Sequence, residues 1–391
     1  MPATPLKQVL LEWIRRSGPI TFERYMELCL YHPEHGYYMQ GRERTGVAGD
    51  YFTSPDLHPI FARLVARQAA EMWERLGRPA LFTWVEMGAG RGLFAQDFLS
   101  WAASQRREFF QALDYVALEP GARQRERLSE RLRATTGGAR VRVLESLDQL
   151  APVTGCFFSN ELVDAFPVHV VARIGGRLKE IYVTGEGETL KEKPGRLSGT
   201  EVAAAVARYA HGIEEGCRVE MNLRAIQWIK AVAEELWRGF VITIDYGGLA
   251  QQLYSSERPR GTLMVYRGHQ ATEDFYSAPG EQDLTAHVNF SALIDVGKEA
   301  GLEFAGFTTQ ERFLLALGEE DGFHDLYDPG QGETEQLQAR LKLKRLINPE
   351  GMGGIFKVLV QSREVSAAPI TGLKFQRQRR KVNEDSGVRR K

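Results

Sequence analysis

The chain has 391 residues, of which 43% are hydrophobic and 26% charged, as is ordinary for a globular protein with a large core. A net charge of −1 excludes a global basic field for binding nucleic acid or a membrane surface. No apolar run approaches the ~18 residues of a membrane span, and the three cysteines are too far apart to suggest a metal site or a redox pair. Together with an N-terminus that lacks the apolar core of a signal peptide, these features predict a cytoplasmic protein without membrane insertion.

Residues 1–60 are predicted to be a helical region with an aromatic loop, "LYHPEHGYYMQGRERTGVAGDYFTSPD". At the end of this loop "TSPD" indicates a helix start, because Ser54 can cap it and Pro55 suits the first turn. The following "LHPIFARLVARQAAEMWERLG" has helical spacing and stops at Gly77.

From residue 80 the pattern alternates between strand and helix. The predicted strands are "LFTWVEM", "LDYVALE", "ARVRVLES" and "GCFFSNE", and the helices between them are "LFAQDFLSWAASQ" and "GARQRERLSERLRA". Such alternation predicts an α/β fold with a parallel sheet covered by helices on both faces.

An insertion is predicted at residues 168–215, within a domain formed by residues 61–167 and 216–363. "HVVARIGGRLKEIYV" reads as a β-hairpin that turns at Gly175 and Gly176, and a helical stretch from about residue 200 to 238 follows. The sheet resumes with "GFVITIDYG" and gains two late strands, "GLEFAGFTTQ" and "GIFKVLVQS".

The C-terminal residues 364–391 are predicted to be a disordered basic tail. Eight Lys or Arg residues and two acids fall between Lys374 and Lys391, which leaves a local excess of positive charge. A solvated end is the simpler interpretation, and a tether to an acidic partner or to RNA is the alternative.

Three alternating glycines, Gly88, Gly90 and Gly92, follow the first strand of the alternating region in "VEMGAGRGLF". A helix that starts after a parallel strand presents free N–H groups, and glycines there let a ligand approach the backbone. A turn alone needs one glycine, so three of them favour a ligand site.

Two cofactor classes compete for this loop. A dinucleotide fingerprint, G-x-G-x-x-G, requires a glycine where this chain has Leu93. The acid before the loop, Glu86, would repel a pyrophosphate but suits S-adenosylmethionine (SAM), which has no phosphate and carries two cationic groups. The spacing therefore favours SAM.

Further candidates for nucleoside binding lie at the ends of the next strands. Glu119 ends the second strand and can accept hydrogen bonds from both ribose hydroxyls, as acids at this position do in both cofactor classes. Ser146 and Leu147, after the third strand, could border an adenine.

The fourth strand ends in "SNELVDAFPVH", which places Asn160, Glu161 and Asp164 beside the glycine loop. The structural alternative is a set of caps for a short helix. In the functional interpretation Asn160 lies on the cofactor side and the two acids hold the methyl acceptor. Paired carboxylates could bind a guanidinium, although they lack the two-glutamate hairpin of ordinary arginine methyltransferases.

His287, in "DLTAHVNF", and His269, in "VYRGHQ", are candidates for a base or an anchor. A single histidine is more often structural, and His287 is the stronger candidate of the two.

The order of motifs resembles the MidA-like family of SAM-dependent methyltransferases. The motifs are "ITFERYMELCLYHPEHGYY", "GDYFTSPDLHPIF", "VEMGAGRGLF", "SNELVDAFPVH", "ITIDYGG", "YRGH", "GEQDLTAHVNFSAL" and "GIFKVLV". They span roughly residues 18 to 362, and several are specific to that family.

The resemblance implies a Rossmann-like class I methyltransferase fold and SAM as the cofactor. It places SAM at Glu86, Gly88, Gly90, Gly92 and Glu119, with Thr53 and Ser54 nearby. It also implies a protein substrate, with symmetric dimethylation of arginine as in the mitochondrial member of the family. Met87 and Ala89 depart from the residues common in the family loop, in ways compatible with SAM binding.

Other functions stay open from the sequence alone. One is an assembly chaperone that binds SAM and a partner protein with little or no catalysis, and another is a methyltransferase for small molecules. A nicotinamide-dependent oxidoreductase is disfavoured by the glycine spacing.

Overall fold

The computed structural model describes residues 4–42, 44–46, 49–135, 137–365 and 368–375. Its strands are β1 (Ile20–Thr21), β2 (Phe82–Met87), β3 (Leu113–Leu118), β4 (Arg140–Leu144), β5 (Val153–Asn160), β6 (His169–Ile174), β7 (Arg177–Glu186), β8 (Thr189–Gly195), β9 (Arg218–Met221), β10 (Leu236–Gly248), β11 (Met264–Arg267), β12 (Gln270–Thr272), β13 (Asp283–Thr285), β14 (Val288–Asn289), β15 (Glu303–Thr309) and β16 (Phe356–Arg363). Its α-helices are α1 (Pro5–Ser17), α2 (Phe22–Tyr31), α3 (Ser54–Leu57), α4 (Ile60–Arg75), α5 (Leu93–Gln105), α6 (Arg107–Ala112), α7 (Ala122–Thr135), α8 (Thr200–Tyr209), α9 (Leu223–Glu235), α10 (Ala250–Leu253), α11 (Phe290–Glu299), α12 (Gln310–Glu319), α13 (Glu333–Leu346) and α14 (Met352–Ile355).

The large sheet has the strand order β4-β3-β2-β5-β10-β16-β15. The strands from β4 to β10 are parallel, whereas β16 runs antiparallel to both of its neighbours. The predicted α/β sheet is therefore confirmed, and "GIFKVLV" supplies its antiparallel strand β16.

Helices cover both faces of this sheet, as the parallel pattern requires. Alternate residues of β2 enter opposite cores. Phe82 and Trp84 pack in the core shared with α4 and α5, whereas Val85 and Met87 pack in the core shared with α9 and α11. This alternation keeps β2 buried along its whole length.

A second sheet has the order β1-β7-β6-β9, with β8 paired to β7. The hairpin between β6 and β7 turns at Gly175 and Gly176, both with positive φ, as predicted. The helical stretch predicted from about residue 200 to 238 contains α8 and α9, but it is wrong between them, where β9 pairs with β6. Since β9 belongs to this sheet, the sheet extends past residue 215, the proposed end of the insertion.

The N-terminal helices α1 and α2 pack on the second sheet. Leu6 and Leu10 of α1 share a core with Val170 and Val183, so the first helix is packed as expected. The start of α3 needs a correction, since Thr53 rather than Ser54 is its N-cap, in a capping box with Asp56. Within the described part of the chain, no helix is both long and apolar enough to cross a membrane.

The prediction of a disordered tail over residues 364–391 is wrong for its first part. Residues 368–375 pack on α4, where Gly372 N–H donates to Gln68 Oε1 at 2.8 Å and Arg75 donates to the Pro369 carbonyl at 2.7 Å. Residues 376–391, which carry most of the basic charge, lie outside the described residues.

Replacing Gly155 by alanine is expected to destabilise the fold by at least about 3 kcal/mol. A Cβ at this position in β5 would lie 1.9 Å from the carbonyl oxygen of Thr83 in the neighbouring strand. Gly212→Ala is the matched control, because a Cβ there has no neighbour within 4 Å. Urea unfolding measures both variants, and equal stability of the two would contradict this packing.

Candidate active site

The carboxyl ends of the parallel strands open onto a cavity of about 430 Å³. In an open parallel sheet this is the edge at which ligands bind. Its walls come from the loop after β2, the tips of β3 and β5, and the aromatic loop before α3. The lining includes Tyr31, Tyr38, Tyr51, Thr53, Glu86, Gly88, Gly90, Glu119, Asn160 and Glu161.

The three glycines of the loop after β2 all have positive φ but serve different purposes. A Cβ on Gly88 would lie 2.9 Å from Leu162, and one on Gly92 would lie 2.5 Å from Leu128 of α7. Both positions therefore permit close packing. Among the described residues, a Cβ on Gly90 would meet only the Gly88 carbonyl, at 3.9 Å. Gly90 is thus the position that leaves room for a ligand.

Two carboxylates lie beside this loop. Glu86 is 5% exposed and accepts a hydrogen bond from the Tyr115 hydroxyl at 2.7 Å. Burial raises the pKa of Glu86 to about 8. Glu119 follows β3 and accepts a hydrogen bond from Gly121 N–H at 3.1 Å, and burial also raises its pKa. Both side chains line the cavity, where they can accept hydrogen bonds from a bound ligand.

Ser146, Leu147 and Ser54 do not line the cavity. Ser146 and Leu147 lie at the 3-10 turn after β4, where the Ser146 hydroxyl donates to Asp148. Ser54 is buried and directs its backbone N–H to Glu161. Roles for these three residues in cofactor binding remain predictions.

Glu161 turns the chain at the end of β5, in a left-handed conformation with φ +54. Non-glycine residues seldom adopt this conformation, and those that do often lie at functional sites. Its Oε1 accepts hydrogen bonds from Ser54 N–H at 3.1 Å and from the Asn160 amide at 2.9 Å. Burial raises the pKa of Glu161 to about 8. Asn160 Oδ1 is itself buried and has no hydrogen-bond partner among the described residues.

Asp164 lies behind the wall of the cavity, so the structure does not bring the two predicted acids into one opening. Asp164 is 5% exposed, and burial together with the nearby Asp245 and Asp283 raises its pKa. Its assignment to the acceptor remains a prediction.

Sequence reasoning missed Asp245, which organises the loop after β5. One of its oxygens, Oδ2, accepts hydrogen bonds from the backbone N–H groups of Leu162 and Val163 at 3.2 and 2.8 Å. Burial raises the pKa of Asp245 to about 7. The motif "ITIDYGG" contained this acid, and its place at the end of a buried strand was the available signal.

Sequence reasoning also missed Asp283 of β13. This residue is 2% exposed and accepts a hydrogen bond from the Tyr38 hydroxyl at 2.7 Å. Neither residue carries a pattern that indicates the other, because 245 positions separate them.

The structure does not place the two histidines in this cavity. His287 lines a separate cavity of about 450 Å³ with Arg258 and Thr262, and burial lowers its pKa to about 4. His269 stacks on Phe52 with ring centroids 5.1 Å apart. A catalytic role for His287 remains a prediction that the geometry does not support.

The acids of the cavity fit SAM. Glu86 and Glu119 line it and can accept hydrogen bonds from the ammonium group and the ribose hydroxyls of SAM. Five arginines among the described residues also line the cavity, so the preference for SAM over a dinucleotide rests on the glycine spacing rather than on the charge of the lining. This crevice and the sheet with its reversed strand β16 together define the class I, Rossmann-like SAM-dependent methyltransferases.

Comparison with known proteins agrees with this class. The chain belongs to the family described as "putative S-adenosyl-L-methionine-dependent methyltransferase", whose model matches residues 64–308. A crystal structure from Burkholderia thailandensis bound to S-adenosyl-homocysteine is 32% identical, covers 95% of each chain and has a TM-score of 0.85. The resemblance seen in the motifs is thus confirmed, and the protein is a SAM-dependent methyltransferase with SAM as its cofactor.

Two curated relatives resemble nearly the whole chain. Protein arginine methyltransferase NDUFAF7, mitochondrial, of Homo sapiens is 27% identical over 91% of this chain and 82% of its own length. The homolog from Drosophila melanogaster is 26% identical over 91% of this chain and 84% of its own length.

These relatives contradict the prediction of a cytoplasmic protein. The human, fly and frog proteins are all named as mitochondrial. The prediction had relied on unpaired cysteines and on the lack of a signal peptide or membrane span, and none of these features distinguishes the cytoplasm from the interior of an organelle. It is therefore withdrawn.

Gly90→Val is expected to weaken SAM binding by at least about 100-fold, because its side chain would occupy the ligand space. Gly137→Val is the matched control. Its φ of +52 is close to the +50 of Gly90, and no atom of the described residues lies within 4 Å of a Cβ placed there. Both variants therefore carry the same backbone strain, and only one enters the cavity. Calorimetric titration with SAM measures the difference, and unchanged affinity in Gly90→Val would refute the placement of the cofactor.

Proposed function

We propose that this methyltransferase modifies arginine in a protein substrate and that Glu161 binds the guanidinium of the acceptor. The observation that carries the proposal is the environment of the Glu161 carboxylate. It lines the cavity and receives hydrogen bonds, but no Lys or Arg among the described residues pairs with it. A carboxylate that is partly removed from water without a cation is costly, and a guanidinium would offset that cost.

The hydrogen bonds to Glu161 indicate how the acceptor would be held. Among the described residues both donors to Glu161 use Oε1, which leaves Oε2 for a ligand. Asn160 holds Oε1 through its amide nitrogen, and its own Oδ1 is buried. A carboxylate oxygen without a protein donor suits an N–H group of a guanidinium. The names of the human and fly relatives support the same substrate class.

In the proposed reaction, SAM supplies a methyl group already activated by its sulfonium. Glu86, Gly88, Gly90, Glu119 and Thr53 would hold the cofactor. The role left to Glu161 is to align the guanidinium nitrogen and to accept the proton that the nitrogen loses. A pKa raised by burial makes Glu161 a stronger base than an ordinary glutamate. Symmetric dimethylation, which the family resemblance implies, is the proposed product.

The experiment that tests this function uses SAM labelled in its methyl group and an extract of cells that lack the protein. We expect a labelled polypeptide whose acid hydrolysate contains methylated arginine. Label only in low-mass compounds would favour a small-molecule methyltransferase. SAM binding without any labelled product would favour an assembly chaperone.

In the same assay Glu161→Gln is expected to reduce methyl transfer by at least about 100-fold, because the amide neither holds the cation nor accepts its proton. SAM affinity should stay within a few-fold of the unmodified protein. Glu188→Gln, at an exposed acid of the turn between β7 and β8, is the control and should transfer normally. Transfer at an unchanged rate in Glu161→Gln would eliminate Glu161 as the acceptor-binding group.

The pH profile gives a second check on Glu161. Burial raises its pKa to about 8, so the ionised form that binds the acceptor increases as the pH rises toward that value. At saturating SAM, kcat/KM for the acceptor should increase about tenfold per pH unit below the pKa and level off above it. The residual activity of Glu161→Gln should lack this rise. A flat profile for the unmodified protein from about pH 6 to 8 would contradict the assignment.

A further inference from the structure

The buried carboxylate of Asp283 lies behind the tyrosine-lined wall of the cavity. Tyr38 lines the cavity and donates its hydroxyl to Asp283 at 2.7 Å. Tyr51 also lines the cavity. In the described part of the chain no Lys or Arg pairs with Asp283. An ionised carboxylate can only accept hydrogen bonds, so the direction of the bond from Tyr38 is fixed.

The direction of the bond determines what Tyr38 can offer a ligand. A tyrosine has a single hydroxyl proton, and in Tyr38 this proton points away from the cavity to Asp283. The oxygen can therefore act toward the cavity only as an acceptor. The ring is held in place by Tyr31, with centroids 5.6 Å apart, and by Tyr37, with centroids 5.1 Å apart.

This wall and the tip of β5 border the same cavity, since Tyr38, Tyr51 and Glu161 all line it. The rings of Tyr51 and Tyr266 lie with their centroids 6.4 Å apart. The Tyr38 oxygen and Glu161 Oε2 are therefore two acceptors within one opening.

We infer that Asp283 is a positioning residue for the methyl acceptor. It holds the Tyr38 hydroxyl as a donor, so that the tyrosine oxygen accepts an N–H group of the acceptor opposite Glu161. The inference rests on the proposed arginine specificity, because a guanidinium has enough N–H groups to reach both sides of the opening. The same arrangement repels ligands that offer only acceptors at this end.

The test uses protein saturated with S-adenosyl-homocysteine and two capped tripeptides, Gly-Arg-Gly and its neutral counterpart with citrulline. Calorimetry or NMR titration should show that the unmodified protein binds the arginine peptide at least about tenfold more tightly. Asp283→Asn and Tyr38→Phe should each reduce that preference at least about fivefold without changing the affinity for SAM. The asparagine amide can donate a proton to the tyrosine oxygen, and phenylalanine has no oxygen.

A double-mutant cycle separates positioning from general stability. Because Asp283 acts through the Tyr38 hydroxyl, the combined variant should lose no more preference than either single variant. Tyr25→Phe is the control, since its hydroxyl donates to the Phe275 carbonyl at 2.6 Å outside the cavity lining. If Asp283→Asn is too unstable to measure, Tyr38→Phe alone decides the outcome.

The outcomes distinguish the two proposals. Equal binding of the arginine and citrulline peptides by the unmodified protein overturns the arginine specificity, and the inference falls with it. A clear preference that survives in Asp283→Asn or Tyr38→Phe overturns the positioning role alone. A loss of SAM affinity in these variants also overturns it, because the tyrosine would then belong to the cofactor site.

Discussion

Burial of carboxylates without cationic partners is the constraint on which this site depends. Glu86, Glu161 and Asp245 receive hydrogen bonds from N–H or O–H donors, and no Lys or Arg in the described part of the chain pairs with them. Burial raises their pKa values to between about 7 and 8. The donors offset part of the cost of removing these groups from water, and a positively charged ligand would offset more. SAM carries a sulfonium and an ammonium, so a single electrostatic arrangement would favour the cofactor and the proposed cationic acceptor together.

The same hydrogen bonds define the shape of the cavity. Asp245 holds the backbone of the loop after β5, which lets Glu161 adopt its left-handed turn. Glu161 in turn binds the N–H of Ser54, 107 positions earlier in the chain. This bond attaches the N-terminal region to the parallel sheet and brings the aromatic loop over the glycine loop. The backbone N–H of Ser54, in the N-terminal region, therefore helps to position Glu161 in the proposed acceptor site.

Local sequence patterns sufficed to predict the strands, turns and helices that form the cofactor crevice. In "VEMGAGRGLF" an apolar run, the glycines after it and the helix-forming residues that follow are adjacent in sequence. This local pattern determines the strand, the turn and the helix. β9 was missed because four residues between two helices carry too little pattern to identify a strand. Asp283 and Tyr38 were missed because their contact spans 245 positions, and nothing in either segment specifies it. Asp164 was grouped with Glu161 because the two are close in sequence, but the turn at Glu161 directs only Glu161 to the cavity lining.

This division between local and long-range structure bears on acceptor choice. The class I sheet forms the cofactor crevice from consecutive βα units, and one fold of this kind serves many acceptors. In this chain the aromatic loop forms a further wall, and β13 lies behind that wall, where Asp283 holds the Tyr38 hydroxyl. Both elements lie outside those units, and the aromatic loop also donates the Ser54 N–H to Glu161 at the tip of β5. Selectivity for the acceptor is therefore expected to depend on these elements. Changes in them should alter the choice of substrate while the cofactor crevice stays intact.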